Sequence, residues 1–157
     1  MANYYTSDSL GGTQQACSAT YKTLVNVYAG STVRRGKIYD VLVGTNGTPA
    51  DNYMEWDISR FSVTISISAT AVTPSPLDIA DAAFAGVSLA NSTADSTYLT
   101  GASVFYVGVN QRASYRWVAA PGSELVYPAT ATTGLALRTR SGGYTSTATG
   151  ALYVSEQ

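Results

Sequence analysis

The sequence predicts an all-β sandwich, with a jelly-roll arrangement of strands preferred. Three observations carry this. Runs of Val, Ile, Tyr and Thr alternate with polar residues, breaks rich in Gly, Pro and Asn separate the runs, and only one segment has helix signals. About nine strands suit two four-stranded sheets, although an immunoglobulin-like or lectin-like sandwich satisfies the same pattern. The chain has 157 residues, which fits one domain that buries roughly 68–70% of its unfolded surface.

Residues 1–18 are polar and small, with Ser7, Asp8, Gly11, Gly12, Thr13, Gln14 and Gln15 in no period of two or 3.6. They are predicted to form an extended N-terminal arm, leaving residues 19–157 as a single β-sandwich domain. Strand signals begin near Ala19, with Tyr21, Thr23, Val25 and Val27 on one face and Leu24 and Tyr28 on the other. A second strand runs from Lys37 to Val43, and the loop from Gly44 to Pro49 follows it. Glu55 to Val72 holds the clearest pattern. From Phe61 onward the odd positions are apolar and the even ones hydroxylated, which predicts one buried and one wet face.

One short helix is predicted near 75–84. Ser75 can cap it, Pro76 fits its first position, Asp78 completes a capping box and Gly86 ends it. Further strands are expected near 86–90, 97–100, 103–109, 112–119, 124–127, 134–140 and 147–154. Turns fall at Pro121-Gly122 and Ser141-Gly142-Gly143, and Gly101, Gly108 and Gly134 mark bulges or strand ends.

Charged residues are only 12% of the chain, about half the usual roughly 25%. Nine basic against ten acidic residues leave no electrostatic footprint for nucleic acid, and no Lys/Arg run suits a membrane surface. Arg34 and Arg35 stand alone as a basic pair. No apolar run approaches the length of about 18 residues that a membrane-spanning helix needs, and the first residues lack the features of a secretory signal. Asn46-Gly47-Thr48 and Asn91-Ser92-Thr93 match the glycosylation sequon and are read as turns. A single cysteine, Cys17, excludes an intrachain disulfide and suits a reducing compartment.

The chain contains no histidine. A Ser-His-Asp triad, a Cys-His pair and a His-based zinc site are therefore impossible, and no phosphate-binding glycine motif is present. Asp51, Glu55 and Asp57 are the one carboxylate group to weigh, but they lack the loop pattern of a calcium site. The expectation is a protein that is not an enzyme and needs no cofactor or metal. Twelve tyrosines, two tryptophans and three phenylalanines are spread along most of the expected strands. Trp56, Tyr106, Tyr115 and Trp117 are read as core. Tyr4 and Tyr5, in the polar arm, are read as partner contacts. Arg112 and Arg116 alternate with Ala113, Tyr115 and Trp117 as a cationic ridge. Its counterpart is sought in Glu55 with Asp57, or in Glu124 of a neighbouring subunit; a cross-strand pair within one chain is preferred slightly to an inter-subunit one.

Two blocks carry a family resemblance. One runs Lys37-Ile38-Tyr39-Asp40-Val41-Leu42-Val43-Gly44-Thr45, then Pro49-Ala50-Asp51-Asn52 and Trp56-Asp57-Ile58-Ser59-Arg60. The other runs Asn110-Gln111-Arg112-Ala113-Ser114-Tyr115-Arg116-Trp117, then Pro121-Gly122-Ser123-Glu124-Leu125-Val126 and Pro128-Ala129-Thr130. Together, over most of residues 34–140, they resemble the head decoration or cement proteins of tailed bacteriophages. The resemblance implies a virion structural protein, made in the host cytoplasm, that sits on the capsid exterior and binds the major capsid protein lattice, often as a homotrimer. A carbohydrate- or receptor-binding β-domain of a tail or host-attachment structure is the alternative. Tyr4, Tyr5, Arg112, Arg116 and Glu124 are the candidate capsid or subunit interface.

Overall fold

The computed structural model describes residues 1–12, 14–62, 69–93, 98–143 and 146–157. Among them the chain forms β1 (Ala2–Ser7), β2 (Gln15–Ala16), β3 (Lys22–Tyr28), β4 (Gly36–Asn46), β5 (Tyr53–Phe61), β6 (Thr70–Val72) and β7 (Ser75–Pro76). These are followed by β8 (Val87–Ala90), β9 (Tyr98–Asn110), β10 (Tyr115–Val118), β11 (Leu125–Tyr127), β12 (Gly134–Arg140) and β13 (Thr147–Glu156). The front sheet has the order β10-β4-β13-β1-β7, with β11 also on β4 and β2 also on β13. The back sheet has the order β6-β8-β3-β12-β5-β9, and every strand pairing is antiparallel.

Within these sheets, β1-β13-β4-β10 faces β3-β12-β5-β9. Successive strands cross between sheets except at β5 to β9, which is the strand order of a jelly roll. The segment carrying β6, β7 and β8 is inserted between β5 and β9 and widens both sheets at one flank. The core between the sheets follows the period of two. Leu135 and Leu137 on β12, Trp56 and Ile58 on β5, and Leu152 and Val154 on β13 are buried, and Leu24, Val27, Ile38 and Val41 complete the cluster. Each such side chain contributes roughly 1.5–3 kcal/mol through burial. Gly150 lets the sheets close up, because a Cβ there would sit 2.5 Å from Leu137 Cδ2.

Three sequence expectations are revised. Residues 1–18 are not a free arm: β1 lies between β13 and β7, and its Tyr4 is only 1% exposed. Its alternation of Ala2, Tyr4 and Thr6 against Asn3, Tyr5 and Ser7 was hidden by its mixed polarity, since Thr6 faces inward to meet Ser88 through a 2.9 Å hydroxyl contact.

The helix near 75–84 does not form either. The one helical element among the described residues is a 3-10 turn, Asp8–Gly11. Ser75–Pro76 is drawn extended alongside Tyr4–Tyr5, and the Leu77 N–H donates to Asn3 O at 2.8 Å. Asp78 does cap, but it caps a turn: its Oδ1 accepts the Ala80 N–H at 2.9 Å. A helix here would have no apolar stripe to bury, and Ile79 is 98% exposed. Third, Tyr106 lies on the outer face of the edge strand β9 at 54% exposure, whereas Trp56 is fully buried and Tyr115 and Trp117 are half-buried against the core. Most of the alternation noted from Phe61 to Ala69, residues 63–68, lies outside the described residues, as does residue 97 of the expected 97–100 strand.

The 3-10 turn interrupts the pairing of β1 and β2 with β13. It exposes the Gly150 N–H, which the Asp8 carboxylate accepts at 2.8 Å together with the Thr149 hydroxyl at 2.9 Å. The other Asp8 oxygen is buried without a partner, and Asn91 donates to the Asp8 carbonyl at 3.1 Å. Burial pushes the Asp8 carboxyl above its usual range, against the opposing pull of its hydrogen bonds.

Two expectations follow. Tyr4→Ala should cost about 3–5 kcal/mol in urea unfolding, as truncation of a large buried aromatic does; an unchanged midpoint would show that β1 is dispensable. Folded Asp8 holds its proton more tightly than unfolded Asp8. Its contribution is therefore complete below the unfolded value of about 3.9 and is lost as pH rises through the raised folded value. Asp8→Asn should gain on the parent protein as pH goes from about 4 to about 7, and parallel pH curves for the two proteins would contradict this.

Candidate functional site: the outer face of the front sheet

On the outer face of the front sheet, directly opposed residues stand side by side. Tyr5 opposes Tyr153, and Leu42 lies between Arg116 and Ala151. The Tyr5 and Tyr153 rings meet edge-on at 5.2 Å, and Tyr39 lies 6.2 Å beyond Tyr153, so three half-buried tyrosines form a row across β1, β13 and β4. The register shift at Tyr153/Val154 inserts an extra residue on β4 and turns both Tyr39 and Asp40 to this face. Burial pushes the Tyr39 phenol up, and nearby Asp40 adds to the effect.

Beside the row is a depression of about 350 Å3, walled by Tyr5 and Leu42 and floored by small groups including Ser114, Thr149 and Ala151. It holds hydroxyls and methyls but no charged side chain. A second depression of about 400 Å3 at the other end of the face is lined by Met1, Lys37, Tyr39, Pro121 and Glu124. The Glu124 carboxyl is held below its usual range by its own N–H and that of Gly122, with Lys37 adding to the effect.

The five candidate residues are distributed unevenly. Tyr5, Arg116 and Glu124 belong to this face. Arg112 stands at its rim, in the turn before β10, where it meets Asp51 at 3.4 Å and Pro49 O at 3.3 Å. Tyr4 points the other way: its hydroxyl donates to Ala82 O at 2.9 Å, and its ring packs on Phe84. The ridge expected from Arg112 and Arg116 is not formed. Arg116 binds Asp40 on the neighbouring strand through Nε at 3.1 Å and Nη2 at 2.5 Å, so its partner lies within the chain and is neither Glu55 nor Asp57. Tyr39, Leu42 and Tyr153 were missed. Each lies in an expected strand, but their meeting depends on pairing between segments over a hundred residues apart.

Glu55 and Asp57 project from the outer face of the back sheet, each held by an arginine of β12. Arg138 binds Asp57 at 2.6 Å and Ser59 at 2.7 Å, and its guanidinium lies over the rings of Tyr98 (3.9 Å) and Tyr21 (4.6 Å). Arg140 binds Glu55 at 2.7 Å, and the Tyr21 hydroxyl donates to Glu55 at 2.9 Å. The Arg140 hydrogen bond holds the Glu55 carboxyl below its usual range, the opposite of what a general acid requires. Burial pushes the Cys17 thiol up to about 11, which makes it a poor nucleophile. Among the described residues no group of three or more Asp, Glu or Cys side chains could hold a metal ion.

Compared with family models, curated proteins and solved structures, the chain matches none.

The back-sheet lattice yields a stability prediction. Arg138→Ala leaves the Asp57 carboxylate buried without its cation and should cost about 3–5 kcal/mol. Arg112→Ala breaks an exposed pair and should stay within about 0.5 kcal/mol. Urea denaturation of the two variants checks this; equal losses would show that burial does not separate the two pairs.

Proposed function

We propose that this chain is a non-enzymatic virion structural protein that decorates and stabilises a phage capsid by binding the major capsid protein lattice. The single observation that supports this most is the outer face of the front sheet. It combines a row of tyrosines, the exposed Leu42 and an uncharged hydroxyl-lined depression on strands fixed at both sides. Such a face can be desolvated against a protein lattice without stripping water from many ions. The resemblance of residues 34–140 to head decoration proteins points the same way. Copies acting as a homotrimer would present three such faces at once and bind far more tightly than one.

A second reading, a carbohydrate- or receptor-binding domain, draws on the back sheet. There Tyr53 and Tyr106 are both more than half exposed, share a hydroxyl contact and stand beside the Glu55–Arg140 pair. The Tyr53 hydrogen bond raises the Tyr106 phenol to about 12, and that phenol, protonated near neutral pH as an ordinary one is, can bond a sugar hydroxyl.

Co-sedimentation with purified capsids tests the first reading. Leu42→Asp and Tyr153→Ala, with far-UV circular dichroism unchanged, should each weaken capsid binding by roughly tenfold or more, the effect of losing a central anchor. Unchanged occupancy in both variants would remove the front sheet from the capsid contact. Retention on a glycan array that is lost in Tyr106→Ala would favour the second reading.

A further inference from the structure

Residues 77–83 form an anchored, outward-facing knob. Leu77 is 55% exposed and Ile79 98% exposed, and Asp78 and Asp81 flank them. The backbone behind them is tied down. The Leu77 N–H donates to Asn3 O, the Tyr4 hydroxyl donates to Ala82 O, and the N–H groups of Ala85 and Gly86 donate to the Glu156 carboxylate at 3.0 and 2.8 Å. A loop held this firmly keeps its isoleucine in water instead of folding it back onto the sheet.

The opposite flank carries a socket of complementary character. Arg35, Arg60, Val126, Pro128 and Ala129 line a depression of about 520 Å3. Among the described residues neither Arg35 nor Arg60 is in an ion pair. The knob and the socket lie at the same level of the front sheet, because Ala2, Glu156, Gly36 and Tyr127 form one row across it. Along that row β7 stands at one edge and β11 at the other. Four strand spacings separate them, about 19 Å, so the knob cannot fill its own socket.

We propose that residues 77–83 of one copy seat in the Arg35–Arg60 depression of the next copy, so that copies join head to tail. Leu77 and Ile79 meet Val126, Pro128 and Ala129, while Asp78 and Asp81 face Arg35 and Arg60. The two contact surfaces differ and lie on opposite flanks, so the contact is heterologous, and repeating it gives a ring where its rotation closes and an open filament where it does not. This assignment does not depend on the capsid reading, because it is tested on the isolated protein.

Sedimentation-velocity centrifugation over a range of protein concentrations tests it. The parent protein is expected to self-associate, its sedimentation coefficient rising with concentration. Ile79→Asp, at a position that packs on nothing, should raise the concentration for half-assembly by roughly tenfold or more. Asp81→Arg and Arg60→Glu should each weaken assembly, and the double variant should recover it, since reversing both charges restores attraction. A parent protein that stays monomeric, a multimer indifferent to Ile79→Asp, or a double variant no better than its single parents would overturn the proposal.

Discussion

The structure depends on the strand Thr147–Glu156 at the centre of the front sheet. It pairs with β4 over ten positions and with β1 over six, then takes β2 beyond the 3-10 turn. Every other feature of that sheet is referenced to it. Gly150 sets how closely the back sheet can approach, Asp8 reaches its exposed N–H where β1 stops, and Glu156 holds the inserted segment at Ala85 and Gly86. Tyr153 places the middle ring of the tyrosine row. A shift of one residue in this register would turn Tyr153 inward and Leu152 outward, exchanging core and contact face at once.

The two outer faces of the sandwich solve different problems. The back sheet carries Arg138, Arg140, Glu55 and Asp57, and each charge meets its opposite within the chain. Tyrosine rings over the guanidiniums keep those pairs partly dry, which strengthens them. That face is internally satisfied and offers a partner little beyond Tyr53 and Tyr106. Among the described residues the front face has one ion pair, Arg116–Asp40 between β10 and β4, with Lys37 and Glu124 at one end, and otherwise relies on tyrosine, serine, threonine and small apolar groups. Its hydroxyls can exchange water for a partner's polar groups at little cost. A chain with 12% charged residues can afford this division because the back sheet concentrates its strong ionic contacts.

Most of the strand framework was legible in the sequence, because Val/Ile/Leu at every second position sets a strand wherever it recurs. β12 was expected at 134–140 and is found as Gly134–Arg140, and Leu125–Tyr127 lies within the expected 124–127. Gly101, read as a bulge or strand end, has φ +68° and lies between Tyr98 and Ser103, where the pairing of β9 with β5 shifts register; it is an irregularity within one strand, so the two strands expected there are one. The failures share a cause. Tyr4, Thr6 and Ser7 lack a local apolar pattern, and what makes them a strand is pairing with residues near 151–154, which no short window contains. At Ser75–Asp78 the expected capping box does not form, Asp78 bonding forward to Ala80 in a turn, and the outcome was decided by the open edge of β1, which pairs with Ser75–Pro76. The tyrosine row was invisible for the same reason: its members are strand residues 5, 39 and 153, brought together by sheet order alone.

That the first strand lies inside the sheet changes the energetics of any contact made by the front face. A free arm of eighteen residues would pay about 1–2 kcal/mol per residue to become ordered on a partner, more than two tyrosine rings return. With β1 already paired, that entropy has been lost during folding and is offset there by the ladder to β13 and by the burial of Tyr4. Tyr5 is already positioned by its edge-on contact with Tyr153, so a partner bound there would require little further ordering of it. A preorganised face converts more of its contact energy into affinity than a segment that must fold on arrival. The consequence concerns geometry as well as strength: a partner must match the curvature and spacing of strands β1, β13 and β4 as they stand, so shape complementarity, more than charge, selects what this face can bind.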